Sequence, residues 1–299
     1  MKKDFLSITD LTKQDLLAII EQAIVLKQNK SLKQLSGKSL VAIYEKPSLR
    51  TRLAFECGMQ QLGGATLSFD GKTIGLGVRE SIKDMACVIA SMTDGIVLRV
   101  KSHGTLIEFA KYSSVPVINA LSDVEHPCQT LADLMTIYEQ KRRLKDLTIA
   151  FVGDCENNVV HSLALACAML GITFRYASPI GYGMKREIVE QCAAFGDSVI
   201  ACTDPIEAVS GADVVVADTW VSMGDEGEKE KRIEVFTPYQ VTKKLMAKAK
   251  KDAMFLHCMP VYRGNEVTEE VVDGPHSVIY QEAENRLHAQ KALLLHLLS

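Results

Sequence analysis

The feature that most constrains the fold of this chain is a regular alternation of short apolar runs with longer segments whose apolar residues recur at helical spacing. One such helical segment is LTKQDLLAIIEQAIVLKQ, at residues 11–28. The apolar runs predict nine strands, at residues 39–45, 65–70, 95–100, 116–120, 147–154, 172–178, 198–204, 213–219 and 253–259. Short apolar strands that alternate with helices are typical of parallel sheets covered on both faces. We therefore predict an α/β fold.

The predicted strands fall into two series, separated by the charged stretch KRRLKD at residues 141–146. A chain of 299 residues also favours two domains over one. We predict two doubly wound parallel-sheet domains joined by interdomain helices, the first at residues 1–143 and the second at 144–281. The C-terminal helix, at residues 282–299, is expected to pack back on the first domain.

Composition excludes several classes of protein. The net charge of −3 gives no basic surface for nucleic acid, although a local pocket can still attract a small anion. The eight cysteines have no paired spacing and are expected to be reduced thiols. The N-terminus has no signal-peptide or transit-peptide pattern, and no apolar run approaches the roughly 20 residues of a membrane span. The expected location is the cytoplasm, with no membrane partner.

Polar clusters follow six of the nine predicted strands. These are SLRTR, Arg99, HPCQ, DCENN, DTWVSMG and HCMP, in chain order. Because ligands of open α/β sheets bind at the carboxyl ends of the strands, we expect these clusters to line one cleft supplied by both domains.

The cluster Ser48-Leu49-Arg50-Thr51-Arg52 lies at a predicted strand-to-helix junction. Free N–H groups and the positive dipole end of a helix, together with hydroxyls and a guanidinium, would hold a phosphate without a glycine-rich loop. Alternatively, Ser48 only caps the helix and the arginines are solvated. Arg99 favours the phosphate site, since a charge at the end of an apolar strand needs a partner.

In the HPCQ cluster, His126 and Gln129 could donate hydrogen bonds to a carbonyl oxygen, with Pro127 in the first turn of a helix. The alternative is that His126 only caps this helix. Cys128 is interpreted as a small buried apolar residue rather than a nucleophile.

In the second series, the G-x-G-x-x-G spacing of dinucleotide-binding folds is absent after the strand at 147–154, so a nicotinamide cofactor is not expected. Asn158 could bind a carboxylate or merely cap a helix. Asp218 could pair with an ammonium group, and a loop containing Ser222 and Met223 could close over it. The tryptophan at position 220 is interpreted as packing.

His257 and Cys258 raise the possibilities of a Cys–His hydrolase or a metal site. Adjacent residues on a strand point to opposite faces, so only one of the two is expected to face the cleft. No further ligands occur at metal spacing, and no bound metal is predicted.

Taken in order, the motifs S-x-R-T-R, H-P-x-Q, D-x-W-x-S-M-G and H-C-x-P resemble those of the aspartate/ornithine carbamoyltransferase superfamily. The first two are shared across the superfamily, whereas D-x-W-x-S-M-G and the cysteine of H-C-x-P are similar to the ornithine carbamoyltransferases in particular. The resemblance extends over nearly the whole chain, including EAENR near the end.

The resemblance implies a carbamoyl phosphate-binding first domain and an ornithine-binding second domain. The implied catalytic residues are Arg50, Thr51, Arg99, His126 and Cys258. The implied carbamoyl phosphate-binding residues are Ser48, Leu49, Arg50, Thr51, Gly75, Arg99, His126, Pro127, Cys128, Gln129, Cys258, Met259 and Arg286. The implied ornithine-binding residues are Asn158, Asp218, Ser222 and Met223.

The implied reaction transfers a carbamoyl group from carbamoyl phosphate to the δ-amine of L-ornithine, giving L-citrulline and phosphate. It serves arginine biosynthesis, or runs in the reverse catabolic direction. Members of the family need no cofactor and are usually homotrimers or multiples of trimers, in which a neighbouring subunit contributes a residue to the site.

Three positions depart from the family pattern. Leu49 replaces a common threonine, but its backbone N–H is available whatever the side chain. Met259 replaces leucine, which conserves volume. Gly75 stands where glutamine is often found, so only its backbone could serve the site.

Other functions stay open from the sequence. Within the enzyme class, the acceptor could be putrescine or an N-acylated ornithine, whereas an anionic acceptor such as aspartate would be repelled by Asp218. The chain could also be a small-molecule-binding protein without turnover. An NAD-dependent dehydrogenase is disfavoured because the glycine fingerprint is missing.

Overall fold

The computed structural model describes residues 3–29, 33–221 and 226–299. The chain divides into two compact units, residues 1–135 with 284–299, and residues 136–283. Both divisions fall inside helices, at 135/136 and 283/284, whereas the sequence analysis placed them at 143/144 and 281/282. Within the described ranges, no helix is both long and apolar enough to cross a membrane.

The first unit contains a parallel four-stranded sheet with the order β2-β1-β3-β4. Its strands are β1 (Ser39–Tyr44), β2 (Ala65–Asp70), β3 (Gly95–Arg99) and β4 (Val117–Leu121). Its helices are α1 (Lys13–Gln28), α2 (Leu49–Gln61), α3 (Gly71–Ile74), α4 (Ile82–Met92), α5 (His103–Tyr112) and the start of α6 (Pro127–Lys141). Buried apolar side chains, mainly of β1, β3, α4 and α5, form its core.

The second unit contains a parallel five-stranded sheet with the order β7-β6-β5-β8-β9. Its strands are β5 (Thr148–Val152), β6 (Thr173–Ala177), β7 (Val199–Cys202), β8 (Val214–Val216) and β9 (Met254–Leu256). Its helices are α7 (Asn158–Leu170), α8 (Arg186–Ala193), α9 (Pro205–Val209), α10 (Lys229–Phe236), α11 (Lys243–Met246), α12 (Glu269–Val272) and the start of α13 (Ile279–Leu298).

Both sheets confirm the predicted fold class. In each, the first strand lies inside the sheet, and the later strands are added first on one side and then on the other. The order therefore reverses between β1 and β3 in the first unit, and between β5 and β8 in the second. Such a reversal is where open α/β sheets bind ligands, so each unit has one favoured location for a site.

Candidate active site

Ser48, Arg50 and Thr51 lie where β1 passes into α2, beside the reversal point of the first sheet. Ser48 occupies the N-cap position, but its side chain makes no capping hydrogen bond within the described chain. The interpretation of Ser48 as an ordinary side-chain cap is therefore not supported. The first N–H groups of a 13-residue helix have no intrahelical partners, so this end of α2 can receive an anion.

The two arginines of this motif have different surroundings. The guanidinium of Arg52 lies 5.0 Å from the ring centroid of Tyr44, and its Nε lies 3.5 Å from Glu56 Oε1. Both of these contacts of Arg52 are with side chains of β1 and α2. Arg50 instead belongs to the charged surroundings of His126.

A buried network joins three elements of the first unit. From α13, Arg286 donates through Nη1 to Gln129 Oε1 at 2.6 Å and through Nη2 to Thr51 Oγ1 at 3.0 Å. Gln129 in turn donates to Asp133 Oδ1 at 2.8 Å, one turn further along α6. Each of these four side chains is at most 2% exposed. The network brings together three candidate residues from positions far apart in the sequence.

Asp133 is a residue of this network that the sequence analysis missed. Its carboxylate is the partner of Gln129, and it lies opposite the positive charge that Arg286 brings into the cluster. The signal that could have revealed it is its spacing, since it follows Gln129 by four residues and therefore shares its helix face. A charge on the apolar face of α6 needs a partner.

His126 is buried just before the first residue of α6, and its surroundings favour the neutral imidazole. Burial is the main cause that holds its pKa well below the ordinary value, and the positive charges of Arg286, Arg99 and Arg50 act in the same direction. Arg99 is the last residue of β3, next to a register shift in the sheet. Guanidinium groups of this kind can bind an anion, and a neutral imidazole can donate its N–H to a carbonyl oxygen.

Pro127 is the first residue of α6, as the sequence predicts. Cys128 is fully buried, and its thiol donates to the Asn119 carbonyl oxygen at 3.3 Å. Burial raises the pKa of Cys128 to about 12, so the thiol stays protonated. The interpretation of Cys128 as a small buried residue is confirmed.

Leu49 and Gly75 are less closely tied to this cluster. The Leu49 side chain is 70% exposed at the first position of α2, so its backbone N–H is the group that an anion could use. Gly75 ends α3 with φ of 67°, a left-handed conformation that disfavours glutamine. Its N–H bonds to residues of α3, and its carbonyl accepts from Val78 and Arg79 at 2.9 Å. These bonds give Gly75 a role in the turn.

In the second unit, Asp218 and Cys258 follow two neighbouring strands and contact each other. Val216 of β8 pairs with Leu256 of β9, so the residues after these strands lie side by side. The Cys258 thiol donates to Asp218 Oδ1 at 3.1 Å, and the Thr219 N–H donates to the same oxygen at 2.8 Å. Asp218 is buried, and this burial raises the pKa of its carboxyl group. The hydrogen bonds from Cys258 and Thr219 lower the pKa, but the effect of burial is larger.

The expectation that His257 and Cys258 face opposite sides of a strand was wrong, because β9 ends at Leu256. One potential ligand atom from each of Asp218, His257 and Cys258 lies within 4.8 Å of the other two. However, His257 Nδ1 accepts from the Met259 N–H at 2.9 Å, and His257 Nε2 lies 3.2 Å from Glu266. A metal ion could use this set only if the imidazole released one of these partners.

Asn157 and Asn158 have different positions at the start of α7. Asn157 is the cap, because its Oδ1 accepts from the N–H groups of Val159 and Val160 at 2.9 and 3.0 Å. Asn158 is the first residue of the helix, so the alternative interpretation of Asn158 as the cap was wrong. Asn158 follows β5, which is one of the two strands at the reversal point of the second sheet.

A buried ion pair that the sequence analysis missed joins α10 to the residues that follow β5. Arg232 of α10 binds the Asp154 carboxylate and the Trp220 carbonyl oxygen, and its guanidinium lies 5.1 Å from the Tyr182 ring centroid. Burial raises the pKa of Asp154 to about 7, while Arg232 lowers it. Trp220 is 2% exposed and stacks on Phe236, which confirms its packing role.

The predicted ornithine-binding residues Ser222 and Met223 lie outside the described residues. The segment just before them, Thr219–Val221, lines a cavity of about 200 Å³ together with Lys229, Tyr262, Asn265 and Glu266. Met259 follows Cys258 with φ of 59° and is partly buried.

Comparisons with known proteins assign each half of the chain to a domain of one family. Residues 3–139 match the family model described as the carbamoyl-P binding domain of aspartate/ornithine carbamoyltransferase. Residues 145–297 match the Asp/Orn binding domain of the same family.

The chain is similar to individual relatives over its whole length. It is 48% identical to the ornithine carbamoyltransferase of Methanosarcina acetivorans over 302 residues, which cover all of both chains. A solved structure of the enzyme of that name from Pyrococcus furiosus is 44% identical, with a TM-score of 0.95 and coverage of 99% of this chain and 97% of that one. A structure of acetylornithine transcarbamylase complexed with acetylcitrulline is 30% identical, with a TM-score of 0.90 and 99% coverage of both chains. The matched domains, the full-length relatives and the shared fold together establish that this chain belongs to the aspartate/ornithine carbamoyltransferase family.

Proposed function

We propose that this chain transfers the carbamoyl group of carbamoyl phosphate to the δ-amine of L-ornithine and releases L-citrulline and phosphate. The single observation that carries the proposal is the buried cluster in the first unit, where Arg286 binds Thr51 and Gln129 close to the start of α6 and positive charge acts on the buried His126. Such a cluster suits a dianionic phosphate joined to a carbonyl group. The names of the matched domains and of the full-length relatives supply the substrate classes.

The first unit would bind carbamoyl phosphate. The N-terminus of α2, with Ser48 and the backbone of Leu49 and Arg50, would hold the phosphate together with Arg99. His126 would donate its N–H to the carbonyl oxygen, joined by Thr51 and by Arg286 through its network with Gln129. Binding of the phosphate would neutralise a cluster that is otherwise strongly positive.

The second unit would bind the amino acid. Asp218 would accept the α-ammonium group, which provides the positive charge that a buried carboxylate requires. Asn158 would bind the α-carboxylate, with Ser222 and Met223 proposed to complete the pocket from the segment outside the described residues. Cys258 and Met259 would lie beside the reacting amine.

In the reaction, the neutral δ-nitrogen of ornithine forms a bond to the carbonyl carbon, and the carbonyl oxygen takes the negative charge of the tetrahedral intermediate. Thr51, Arg99 and His126 would stabilise that charge. The bond from carbon to the phosphate oxygen then breaks, and the phosphate accepts the proton that the nitrogen loses. No protein nucleophile and no cofactor are required.

Asp218 and Asn158 together would separate ornithine from the competing acceptors. An N-acylated ornithine lacks the free α-ammonium group, so it would leave the Asp218 carboxylate buried and unpaired. Putrescine keeps an ammonium group at that end but lacks the α-carboxylate, so it would leave Asn158 without its proposed partner. Aspartate brings a second carboxylate, which the negative charge of Asp218 would repel. Ornithine alone among these acceptors presents the free α-ammonium, the α-carboxylate and the δ-amine together.

We also propose that the chain works as a homotrimer, or a multiple of trimers, in the cytoplasm, in arginine biosynthesis or the reverse catabolic direction. Support for self-association comes from exposed apolar side chains along the edge strand β2, where Leu67 is 54% and Phe69 is 41% exposed. Uncovered edge strands with apolar side chains are typical sites of association.

The test is an assay of the purified chain with carbamoyl phosphate and each of four amines: ornithine, putrescine, N-acetylornithine and aspartate. We expect citrulline from ornithine and little carbamoylation of the other three. The Asp218→Asn variant should lose most activity towards ornithine. A preference for N-acetylornithine would contradict the assignment of Asp218, and a preference for putrescine would contradict that of Asn158. The absence of turnover with every amine would contradict enzymatic function.

A further inference from the structure

The residue before His126 is a buried glutamate whose carboxylate is bound to the N-terminal segment of the chain. Glu125 is 3% exposed, and its Oε2 accepts from the backbone N–H of Ile8 at 3.1 Å. Ile8 is itself fully buried and lies 117 residues earlier in the sequence. This contact lies one residue from the imidazole that the proposed mechanism uses, but neither residue belongs to the proposed substrate-binding set.

The N-terminal segment that carries Ile8 is itself hydrogen-bonded to the edge strand β4. Phe5 forms a parallel bridge with Ile118 of β4; its N–H donates to the Val117 carbonyl at 2.8 Å, and its carbonyl accepts from Asn119 at 2.7 Å. The chain then enters a short 3-10 helix, Ile8–Asp10, capped by Ser7. The segment therefore extends the edge of the first sheet and presents the Ile8 N–H to Glu125.

The strand β4, which leads into the loop before α6, is tied to the same segment. The side-chain amide of Asn119 in β4 donates to the Leu6 carbonyl at 2.8 Å. Inside the loop, the Ser122 N–H donates to the Glu125 carbonyl at 2.9 Å, and Ser122 Oγ accepts from the Glu125 N–H at 3.2 Å. Both backbone groups and the carboxylate of Glu125 are thus engaged, which fixes the direction in which the chain enters α6 at His126.

We propose that Glu125 is a positioning residue, which clamps the N-terminal segment 4–10 onto the β4–α6 loop and thereby fixes His126 for its hydrogen bond to the carbonyl group of the substrate. This inference rests on the proposed carbamoyl transfer. Small displacements of a group that stabilises a transition state reduce turnover strongly, so such a group needs rigid support. A buried N–H left without its acceptor would favour rearrangement of the clamp.

The first test compares Glu125→Ala with Glu125→Gln. In Glu125→Ala we expect kcat/KM for carbamoyl phosphate to fall about tenfold, which corresponds to the loss of roughly one well-placed hydrogen bond. The KM for ornithine should stay unchanged, because the amino acid is assigned to the second unit. Glu125→Gln should recover most of the activity, since its amide oxygen can still accept from Ile8.

Binding of inorganic phosphate, measured by calorimetry, separates positioning from general loosening. The phosphate is assigned to the arginines and the start of α2, so Glu125→Ala should bind it as tightly as the parental chain does. A matched control is Asp4→Ala, because Asp4 Oδ1 accepts from the Val117 N–H at 2.9 Å and anchors the other end of the same segment. This control should lower the melting temperature but leave kcat/KM unchanged.

Ser122→Ala provides a second variant in case Glu125→Ala does not fold, because it removes only one hydroxyl from the same loop. It should give a smaller decrease in the same kcat/KM. Parental kcat/KM in Glu125→Ala, or in Ser122→Ala if the former is not folded, would overturn the inference, as would an equal decrease in Asp4→Ala. A parental chain that forms no citrulline would instead overturn the proposed function itself.

Discussion

At the scale of single residues, Arg50 and Arg52 offer a matched pair within one motif. Arg50 contributes to the positive charge around His126, whereas Arg52 stacks on Tyr44 and pairs with Glu56. We predict that Arg50→Ala lowers kcat about a hundredfold or more, the range found when a donor to developing charge is removed. Arg52→Ala should retain most activity in the same citrulline assay. Equal losses in both variants would contradict the assignment of the phosphate to Arg50.

The neutral state of His126 gives the folded chain a defined response to pH. Its pKa lies well below 6.5 in the folded state, so below pH about 6.5 the unfolded chain binds a proton that the folded chain does not. The free energy of unfolding should therefore fall as the pH falls, by up to about 1.4 kcal/mol per pH unit from this one group.

This prediction is checked by urea unfolding of the parental chain and of His126→Asn between pH 7.5 and 5. Asparagine cannot take up the proton, so the stability difference between the two proteins should shrink as the pH falls. His103 and His288, whose pKa values burial also lowers, are present in both proteins and cancel in the comparison. Parallel pH profiles would show that His126 is not held neutral.

At the scale of elements, the sequence predicts the strands well because parallel strands covered on both faces are short, continuous apolar runs. Eight of the nine predicted runs contain the whole of one observed strand, and the run at 116–120 overlaps β4. The helix that was expected to carry Pro127 in its first turn begins at Pro127. The expectation that His257 and Cys258 face opposite sides of a strand was wrong because the alternation of side chains holds only within a strand, and β9 ends at Leu256.

What the sequence does not reveal is which side chains meet across elements. Arg286 was identified only through a family resemblance, and its contacts with Thr51 and Gln129 span 235 and 157 residues. Arg232 is a charged side chain on a helix and looks like a solvated position until its partners are known. Such contacts depend on tertiary packing, which periodicity does not encode.

Arg232 provides a test of one such tertiary contact. Its ion pair with Asp154 is almost fully buried, and its removal leaves a buried carboxylate and the Trp220 carbonyl without their partner. We predict that Arg232→Met lowers the free energy of unfolding by about 3–5 kcal/mol. The double variant Arg232→Met with Asp154→Leu should recover part of this loss, because it also removes the stranded charge.

The matched control for this prediction is Arg186→Met. Arg186 also pairs with a carboxylate, that of Glu190 one turn away at 2.7 Å, but both side chains are exposed. The variant should change stability little, as exposed pairs generally do. Urea unfolding followed by fluorescence of Trp220 reports directly on the Arg232 cluster, and equal effects in both variants would contradict the importance of burial.

At the scale of the whole molecule, the apolar edge of the first sheet leads to a prediction about assembly. Leu67 and Phe69 are two residues apart on the edge strand β2, so they share one face, and both are exposed. We predict that Leu67→Lys shifts a trimer towards monomers, because a lysine ammonium cannot be buried in an apolar interface without a partner. Ile180→Lys, which replaces a 97% exposed side chain in the second unit, should leave the assembly intact. Sedimentation should then give three times the chain mass for the parental protein and the control, and a lower mass for Leu67→Lys.

If a neighbouring subunit contributes a residue to each active site, as the family resemblance implies, the rate of citrulline formation should fall together with the sedimenting mass. A parental chain that sediments as an active monomer would contradict both parts of this prediction.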